Sequence, residues 1–158
     1  GICFIGEINL KDFLKQEIEP EEGDVVTTEG KKIGKHSGVW FYTIGQRRGF
    51  DVTEYVGKPL YVVGKDVDRN ELIVGSKKKV YVDTFLVEDL HWICKEPEVP
   101  FEADVRIRNL GHFYSAKISK NEKGLNVKTK EAIFGVAPGQ SAVFYKGPQV
   151  LGGGIISR

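Results

Sequence analysis

The segment Phe101–Arg108 reads Phe-Glu-Ala-Asp-Val-Arg-Ile-Arg, in which apolar and charged side chains alternate without interruption. Successive side chains of a β-strand point to opposite faces, so this pattern predicts a strand with one apolar face and one charged face. Arg106 and Arg108 fall on the charged face. The segment therefore predicts β structure for its half of the chain and places two cations on the outside of it.

Five other apolar stretches, bounded by turn residues, share this half of the chain. They lie at 85–93, 116–119, 125–129, 141–145 and 150–156. Asn121-Glu122-Lys123-Gly124 joins two of them and is typical of a hairpin turn with a positive φ at Gly124. Gly152-Gly153-Gly154 is followed by Ile-Ile rather than by Lys and Ser or Thr, which favours close backbone packing over a nucleotide-binding loop. About six short strands predict a small closed antiparallel barrel.

The first 80 residues predict a smaller mixed unit. Asn9 is a suitable helix N-cap, and the apolar side chains that follow it up to Ile18 share one helical face, before Pro20 ends the helix. Apolar stretches at 25–28, 60–63 and 72–74 predict strands, the last two joined by a turn at 68–70. The prediction is therefore a mainly β protein, with a small central α+β domain at 1–80 and a C-terminal antiparallel β-barrel of about six strands at 81–158.

Composition describes a globular chain and excludes several classes of protein. Of the 158 residues 41% are hydrophobic and 28% charged, and no apolar run approaches the roughly 20 residues that a membrane span needs. Two Cys residues and no signal-peptide pattern favour a reducing compartment, so we expect a cytoplasmic protein without a membrane partner. The three His residues form no metal-ligand spacing with the Cys residues, and no zinc site is predicted. Because the sequence lacks Met, we expect either a processed chain or, as we favour, a part of a longer protein.

Charge is unevenly divided along the chain. Residues 1–100 carry a net charge of −4, and residues 101–158 carry +5. The basic part is suited to a polyanion, although an excess of this size is also typical of an ordinary solvated surface.

Cys3 lies in the short apolar segment Gly1-Ile2-Cys3-Phe4-Ile5-Gly6. Free Cys is among the most buried residue types, so one interpretation is a small core residue. The other is a reachable nucleophile, because a thiolate is the side chain that carries transferable sulfur at neutral pH. The six residues alone leave both interpretations open.

The stretch from His36 to Gly49 is the most specific in the chain. Three aromatic residues at 40–42 lead into Gly45-Gln46-Arg47-Arg48-Gly49. Arginines bind phosphates, aromatic rings stack on unpaired bases, and flanking glycines let the backbone approach a ligand closely. A turn with solvated arginines explains the same residues equally well. The amide of Gln46 either reads a base edge or ties the loop to backbone groups, and we favour the second role.

Four segments in this order resemble the central and C-terminal domains of bacterial tRNA-specific 2-thiouridylases. They are residues 1–6, 36–49, 138–145 and 151–156, and the resemblance covers essentially the whole chain. It implies that Cys3 is the catalytic persulfide carrier. It also implies an N-terminal ATP-pyrophosphatase domain outside this chain, which uses ATP and Mg to adenylate the C2 oxygen of the wobble uridine. No cofactor is expected in this chain itself.

The resemblance further implies partners. The anticodon arm of tRNA would be held by Gln46, Arg47 and Arg48, with Arg106 and Arg108 of the barrel on the RNA backbone. A sulfur-relay protein or a cysteine desulfurase would load Cys3. In place of the Arg-Tyr pair expected after the basic strand, this chain has Arg108-Asn109, so aromatic stacking at position 109 is not expected. Cys94 matches no family motif and is interpreted as structural.

Two other functions are compatible with the same sequence. The first is a non-catalytic RNA-binding or docking β-barrel module in which Cys3 is inert. The second is a stand-alone barrel similar to those of translation factors, which nothing in the first 80 residues supports. Sulfur loading of Cys3 by a desulfurase separates a carrier from an inert thiol.

Overall fold

The computed structural model describes residues 13–14, 16–54 and 57–157, and the chain forms two compact units, 1–80 and 81–158. Each unit is built on its own β-sheet, so the prediction of a mainly β protein is confirmed. Within the described residues, no helix is long and apolar enough to cross a membrane.

The central unit contains a five-stranded mixed sheet. Its strands are β1 (Gly23–Thr27), β2 (Lys32–His36), β3 (Asp51–Val52), β4 (Tyr61–Asp66) and β5 (Glu71–Gly75). They lie in the order β3-β2-β1-β5-β4, and β1 pairs with β5 in parallel while the other pairs are antiparallel. The predicted strands are confirmed as β1, β4 and β5, whereas β2 and β3 were not predicted. Val25, Val62 and Leu72 are fully buried.

Two local predictions for this unit have different outcomes. The turn before β5 is confirmed, since Asn70 has a φ of 50° and donates its N–H to the Val67 carbonyl at 3.3 Å. The helix predicted from Asn9 to Ile18 lies largely outside the described residues. Within them, Phe13 and Leu14 are helical, and the N–H of Ile18 donates to the Leu14 carbonyl at 2.8 Å.

The second unit is a closed antiparallel barrel of six strands, as predicted. Its strands are β6 (Tyr81–Trp92), β7 (Phe101–Arg106), β8 (Tyr114–Lys120), β9 (Leu125–Phe134), β10 (Ser141–Lys146) and β11 (Gln149–Ser157). The order is β10-β11-β6-β9-β8-β7, and pairing of β7 with β10 closes the barrel. Inward side chains of alternating strand positions fill the interior, among them the fully buried Val87, Val105, Ile118, Val127 and Phe144.

Glycines of the barrel permit close strand contact. A Cβ on Gly152, Gly153 or Gly154 would lie 2.4 Å from a carbonyl oxygen of a neighbouring strand, which confirms that this run packs backbone against backbone. The prediction of a positive φ at Gly124 was wrong, because this residue is not among those with positive φ. Its glycine is required instead by the Val87 carbonyl oxygen, 2.2 Å from the position that a Cβ would take.

Candidate nucleic-acid interface

His36 anchors the start of the loop that carries the Gln-Arg-Arg residues. Its side chain is 4% exposed, and its Nδ1 accepts the N–H of Gly38 at 2.9 Å. Because Nδ1 is an acceptor, the ring proton lies on Nε2, which donates to the Asn70 carbonyl at 3.1 Å. Burial lowers the pKa of His36, opposed in part by the hydrogen bond to Asn70. The neutral imidazole therefore joins the end of β2 to the turn before β5.

Tyr42 holds the two ends of the loop together. The side chain is buried, and its hydroxyl donates to the Gly49 carbonyl. Its ring makes edge contacts with His36 and Phe50, at centroid distances of 5.6 and 6.3 Å. The Tyr42 carbonyl in turn accepts a hydrogen bond from Lys65 Nζ at 3.1 Å. Contacts from several directions thus fix the residues on either side of the arginines.

Gln46 is hydrogen-bonded within the loop at both ends of its amide. Its Oε1 accepts the N–H of Thr43 at 3.2 Å, and its Nε2 donates to the Arg48 carbonyl at 2.7 Å. The backbone is also tied to the start of β4, since the Val62 N–H donates to the Gln46 carbonyl at 2.9 Å. These bonds are those expected of a Gln that shapes the loop.

Arg47 and Arg48 project from this fixed backbone into solvent. Neither side chain makes a hydrogen bond or an ion pair with any residue that the structure describes. Several other cations of the same unit do have carboxylate partners: Lys31 with Glu54, Lys32 with Asp24, Lys35 with Glu22, Arg69 with Asp66, and Lys79 with Glu29. The two guanidinium groups are therefore available to an anion, and the backbone that carries them is already ordered.

Aromatic residues flank the Gln46-Arg47-Arg48 segment in sequence, and one further basic residue lines a pocket with it. Trp40 is 54% exposed in the short 3₁₀ turn Val39–Phe41. Arg47, Phe50 and Lys58 line a shallow pocket whose walls also include Pro59 and Leu60. The loop thus combines exposed aromatic and cationic groups, which is the chemistry that binds single-stranded RNA.

Arg106 is the last residue of β7 in the barrel, and Arg108 follows two residues later. The strand stops at Arg106, so Arg108 belongs to the following segment rather than to the strand as predicted. Both line one cleft of about 340 Å³, together with Asn109, Gln140, Ser141 and Tyr145. Arg108 Nη2 donates to the Gly135 carbonyl at 2.8 Å, and Arg106 Nη2 donates to the Asn109 carbonyl at 3.1 Å. The two predicted arginines are therefore brought to one cleft, each with part of its guanidinium occupied by backbone.

A second groove of the barrel holds lysines that sequence reasoning did not single out. Lys117, Lys128, Lys130 and Lys146 line it, but so do Asp83, Glu102 and Asp104. Lys117 and Lys128 are direct cross-strand neighbours, a like-charge pair that is unfavourable unless an anion lies nearby. Glu102 supplies one, since it is the neighbour of Lys117 on β7. Carboxylates thus offset most of the positive charge in this groove.

Of the two cysteines, Cys94 is described by the structure, and Cys3 lies outside the described residues. Cys94 is a free, half-buried thiol whose Sγ donates to the Leu151 carbonyl at 3.3 Å. That contact ties the segment after β6 to β11, in keeping with a structural role.

Family models match both units. A tRNA methyl transferase PRC-barrel domain model matches residues 11–76, and an aminomethyltransferase beta-barrel domain model matches residues 82–156. Together they account for nearly the whole chain.

Curated relatives match along the entire chain. The tRNA-specific 2-thiouridylase MnmA of Idiomarina loihiensis is 39% identical over 166 residues, which cover 100% of this chain and 45% of that protein. The protein of the same name from Pseudomonas aeruginosa is 40% identical over 163 residues, which cover 99% of this chain and 44% of that protein. The protein of this name from Aeromonas hydrophila is 39% identical over 168 residues, which cover 100% of this chain and 45% of that protein. The chain spans less than half the length of these relatives, and over that span it belongs to the tRNA-specific 2-thiouridylase family.

Proposed function

We propose that this chain is the central and C-terminal part of a tRNA-uridine 2-sulfurtransferase that makes 2-thiouridine at the wobble position. The observation that carries the proposal is the 39–40% identity to proteins of that name across 99–100% of the chain. A pre-ordered loop whose two guanidinium groups have no partner among the described residues supports it, because a tRNA-modifying enzyme has to hold a polyanion. On this proposal the parent enzyme acts in the cytoplasm.

Cys3 is proposed as the sulfur carrier. A desulfurase or relay-protein persulfide passes its outer sulfur to the Cys3 thiolate and leaves as a thiolate, so that Cys3 becomes Cys-S-S⁻. The outer sulfur then attacks C2 of a uridine whose C2 oxygen is already adenylated, and AMP departs with the oxygen. A second thiolate attacks the inner sulfur of Cys3, forms a disulfide with it and releases the thiolated uridine. A thiol reductant restores Cys3.

Activation of the uridine needs ATP and Mg²⁺, which we assign to a domain outside this chain. The residues that the structure describes do not fit these groups. They contain no cluster of three His, Cys, Asp or Glu side chains that could hold a metal ion. The Gly-rich run 152–154 is strand backbone packed against its neighbours. By itself the chain is therefore expected to hold tRNA and to carry sulfur, without completing the reaction.

Binding is assigned to the Gln46-Arg47-Arg48 loop and to the cleft of Arg106 and Arg108. Arg47 and Arg48 contact phosphates of the anticodon arm, while Gln46 keeps the loop in shape. In the barrel, Arg108 is the more exposed of the two arginines and is the one suited to a phosphate. Such backbone contacts position an RNA without reading its sequence.

Sulfur loading tests the catalytic part of the proposal. The chain is incubated with a cysteine desulfurase and cysteine and then digested, and the mass of each peptide is measured by mass spectrometry. A carrier gains about 32 Da on the peptide that contains Cys3, and a thiol reductant removes the added sulfur. Cys94→Ser is the matched control and leaves this gain intact, whereas Cys3→Ser abolishes it. A Cys3 peptide that gains no mass would leave the chain as a non-catalytic RNA-binding or docking module.

A further inference from the structure

The segment between β7 and β8 exposes two large apolar side chains. Leu110 is 94% exposed and Phe113 is 53% exposed. They follow Arg108 by two and five residues along the chain. Single exposed apolar side chains are common on protein surfaces, so the contacts of Phe113 decide whether it marks a contact site.

Phe113 is held in a defined position by two neighbours. The guanidinium carbon of Arg106 lies 5.1 Å from the centre of the Phe113 ring, within cation–π range. The ring of Tyr145 meets it edge to face, at a centroid distance of 4.9 Å and an angle of 86°. Since Arg106 is itself fixed by its hydrogen bond to the Asn109 carbonyl, all three side chains form one ordered cluster.

Holding Arg106 in this position has a cost. Its Nε is buried and has no hydrogen-bond partner in the part of the chain that the structure describes. An unsatisfied buried donor is unfavourable, and an arginine free to turn into water would avoid it. The stacked position of Arg106 therefore needs an explanation beyond the stability of the barrel.

Charge distinguishes this cluster from the lysine groove. The cleft beside Phe113 is lined by Arg106, Arg108, Asn109, Gln140, Ser141 and Tyr145 with two aliphatic residues, and no Asp or Glu is among these described residues. The lysine groove contains three carboxylates. The lining of the cleft thus offers positive charge without a carboxylate, together with neutral hydrogen-bonding groups. Two of its residues, Arg106 and Tyr145, contact the half-exposed Phe113 ring, and this combination suits a nucleotide better than a protein segment.

We propose that Phe113, backed by Arg106 and Tyr145, is a stacking site for an unpaired RNA base whose phosphate is bound by Arg108. The inference rests on the proposed function in tRNA modification and adds a base contact on the barrel. Duplex RNA is not expected to use the site, because its bases are already stacked on one another.

Binding measurements on the whole chain test the site. An unmodified tRNA transcript, a single-stranded oligouridylate and an RNA duplex of similar charge are titrated against wild type, Phe113→Ala, Phe113→Leu and Phe113→Tyr. Phe113→Ala should weaken binding of the oligouridylate and tRNA by about 5- to 150-fold, the range for loss of one stacked base. Phe113→Leu should resemble Phe113→Ala, while Phe113→Tyr should bind like wild type. The salt dependence should not change, because Phe carries no charge.

The outcomes separate this inference from the function on which it rests. Equal binding by Phe113→Leu and wild type would mean that the ring acts only as apolar filling, and equal weakening with duplex RNA would mean that no base is stacked; either result overturns the site. If Phe113→Ala has no effect while Arg47→Ala with Arg48→Ala weakens binding, the inference fails and the proposed function stands. Wild-type protein that binds no RNA even at low salt overturns both. Thermal unfolding of each variant verifies folding, and Phe113→Leu, which keeps the apolar contact, replaces Phe113→Ala should that variant unfold.

Discussion

Replacing Arg47 and Arg48 together with alanine should weaken tRNA binding and flatten its dependence on salt. Both side chains are exposed and have no partner among the described residues, so nothing in the fold is expected to depend on them. Gln46, Tyr42 and the backbone bonds to Val62 hold the loop without them. The free energy of unfolding should therefore change by no more than about 0.5 kcal/mol, the usual range for surface substitutions.

The magnitude follows from the number of phosphates that the two side chains bind. Each phosphate bound contributes about 0.7 to 0.9 to the slope of log affinity against log salt, so two phosphates account for about 1.4 to 1.8. Over a fourfold rise in salt, from about 50 to 200 mM, the affinity of the wild-type protein should fall about 7- to 12-fold more than that of the double variant. The difference between the two proteins is thus largest at low salt.

Fluorescence anisotropy with a labelled tRNA transcript at several salt concentrations measures the affinity and its salt dependence. Lys77→Ala with Lys78→Ala is the matched control, because it removes two exposed positive charges from the same unit but away from the loop in sequence. The control should keep the wild-type slope. If both double variants lower the slope equally, the weakening reflects total charge, and if neither does, Arg47 and Arg48 are solvated; each result refutes the assignment of phosphate contacts to the loop.

Three further predictions concern the sulfur carrier, the loop anchor and the barrel. In the full-length parent, Cys3→Ser should abolish 2-thiouridine in a nucleoside digest while tRNA affinity is kept, and Cys94→Ser should leave both intact. Because the pKa of His36 is lowered from 6.5 in the folded state, the unfolded chain binds more protons, and stability should fall as the pH drops below about 6.5. Urea unfolding at several pH values should show this decrease in wild type and a flatter profile in His36→Gln. Gly153→Ala places a Cβ 2.4 Å from the Ala142 carbonyl oxygen and should destabilise the barrel by about 1–3 kcal/mol; an unchanged melting temperature would contradict this.

The strands of the barrel were predictable because each has one face in the core and one in solvent. Antiparallel strands of this kind alternate apolar and polar residues, and Phe101–Arg106 does so without exception. Strand β2 of the central unit was not predictable from the sequence, since Lys32-Ile33-Gly34-Lys35-His36 contains a single large apolar residue. Its buried positions include Gly34, which packs against the backbone of β3, and His36, which is satisfied by hydrogen bonds. Neither signal is visible as periodicity.

The candidate site was predictable only in part, for a similar reason. The glycines and charges of the Gln46-Arg47-Arg48 segment are local in sequence, and so is the hydrogen bond from Gln46 to the Arg48 carbonyl. The cluster of Arg106, Phe113 and Tyr145 joins residues from three places in the chain. Tyr145 reaches Phe113 because β10 closes the barrel against β7, and no pattern within either segment contains that contact.

Charge along the sequence also differs from charge in the folded unit. Residues 101–158 carry an excess of +5, which favoured a generally basic barrel. The compact unit begins at 81, however, and the stretch from 81 to 100 adds five carboxylates and one lysine, which leaves ten basic residues against nine acidic ones. A unit with so small a net charge exerts little long-range attraction on RNA. Any affinity of the barrel for tRNA must therefore come from local chemistry, and the cleft lined by Arg106 and Arg108 without a carboxylate is the place where the described residues provide it.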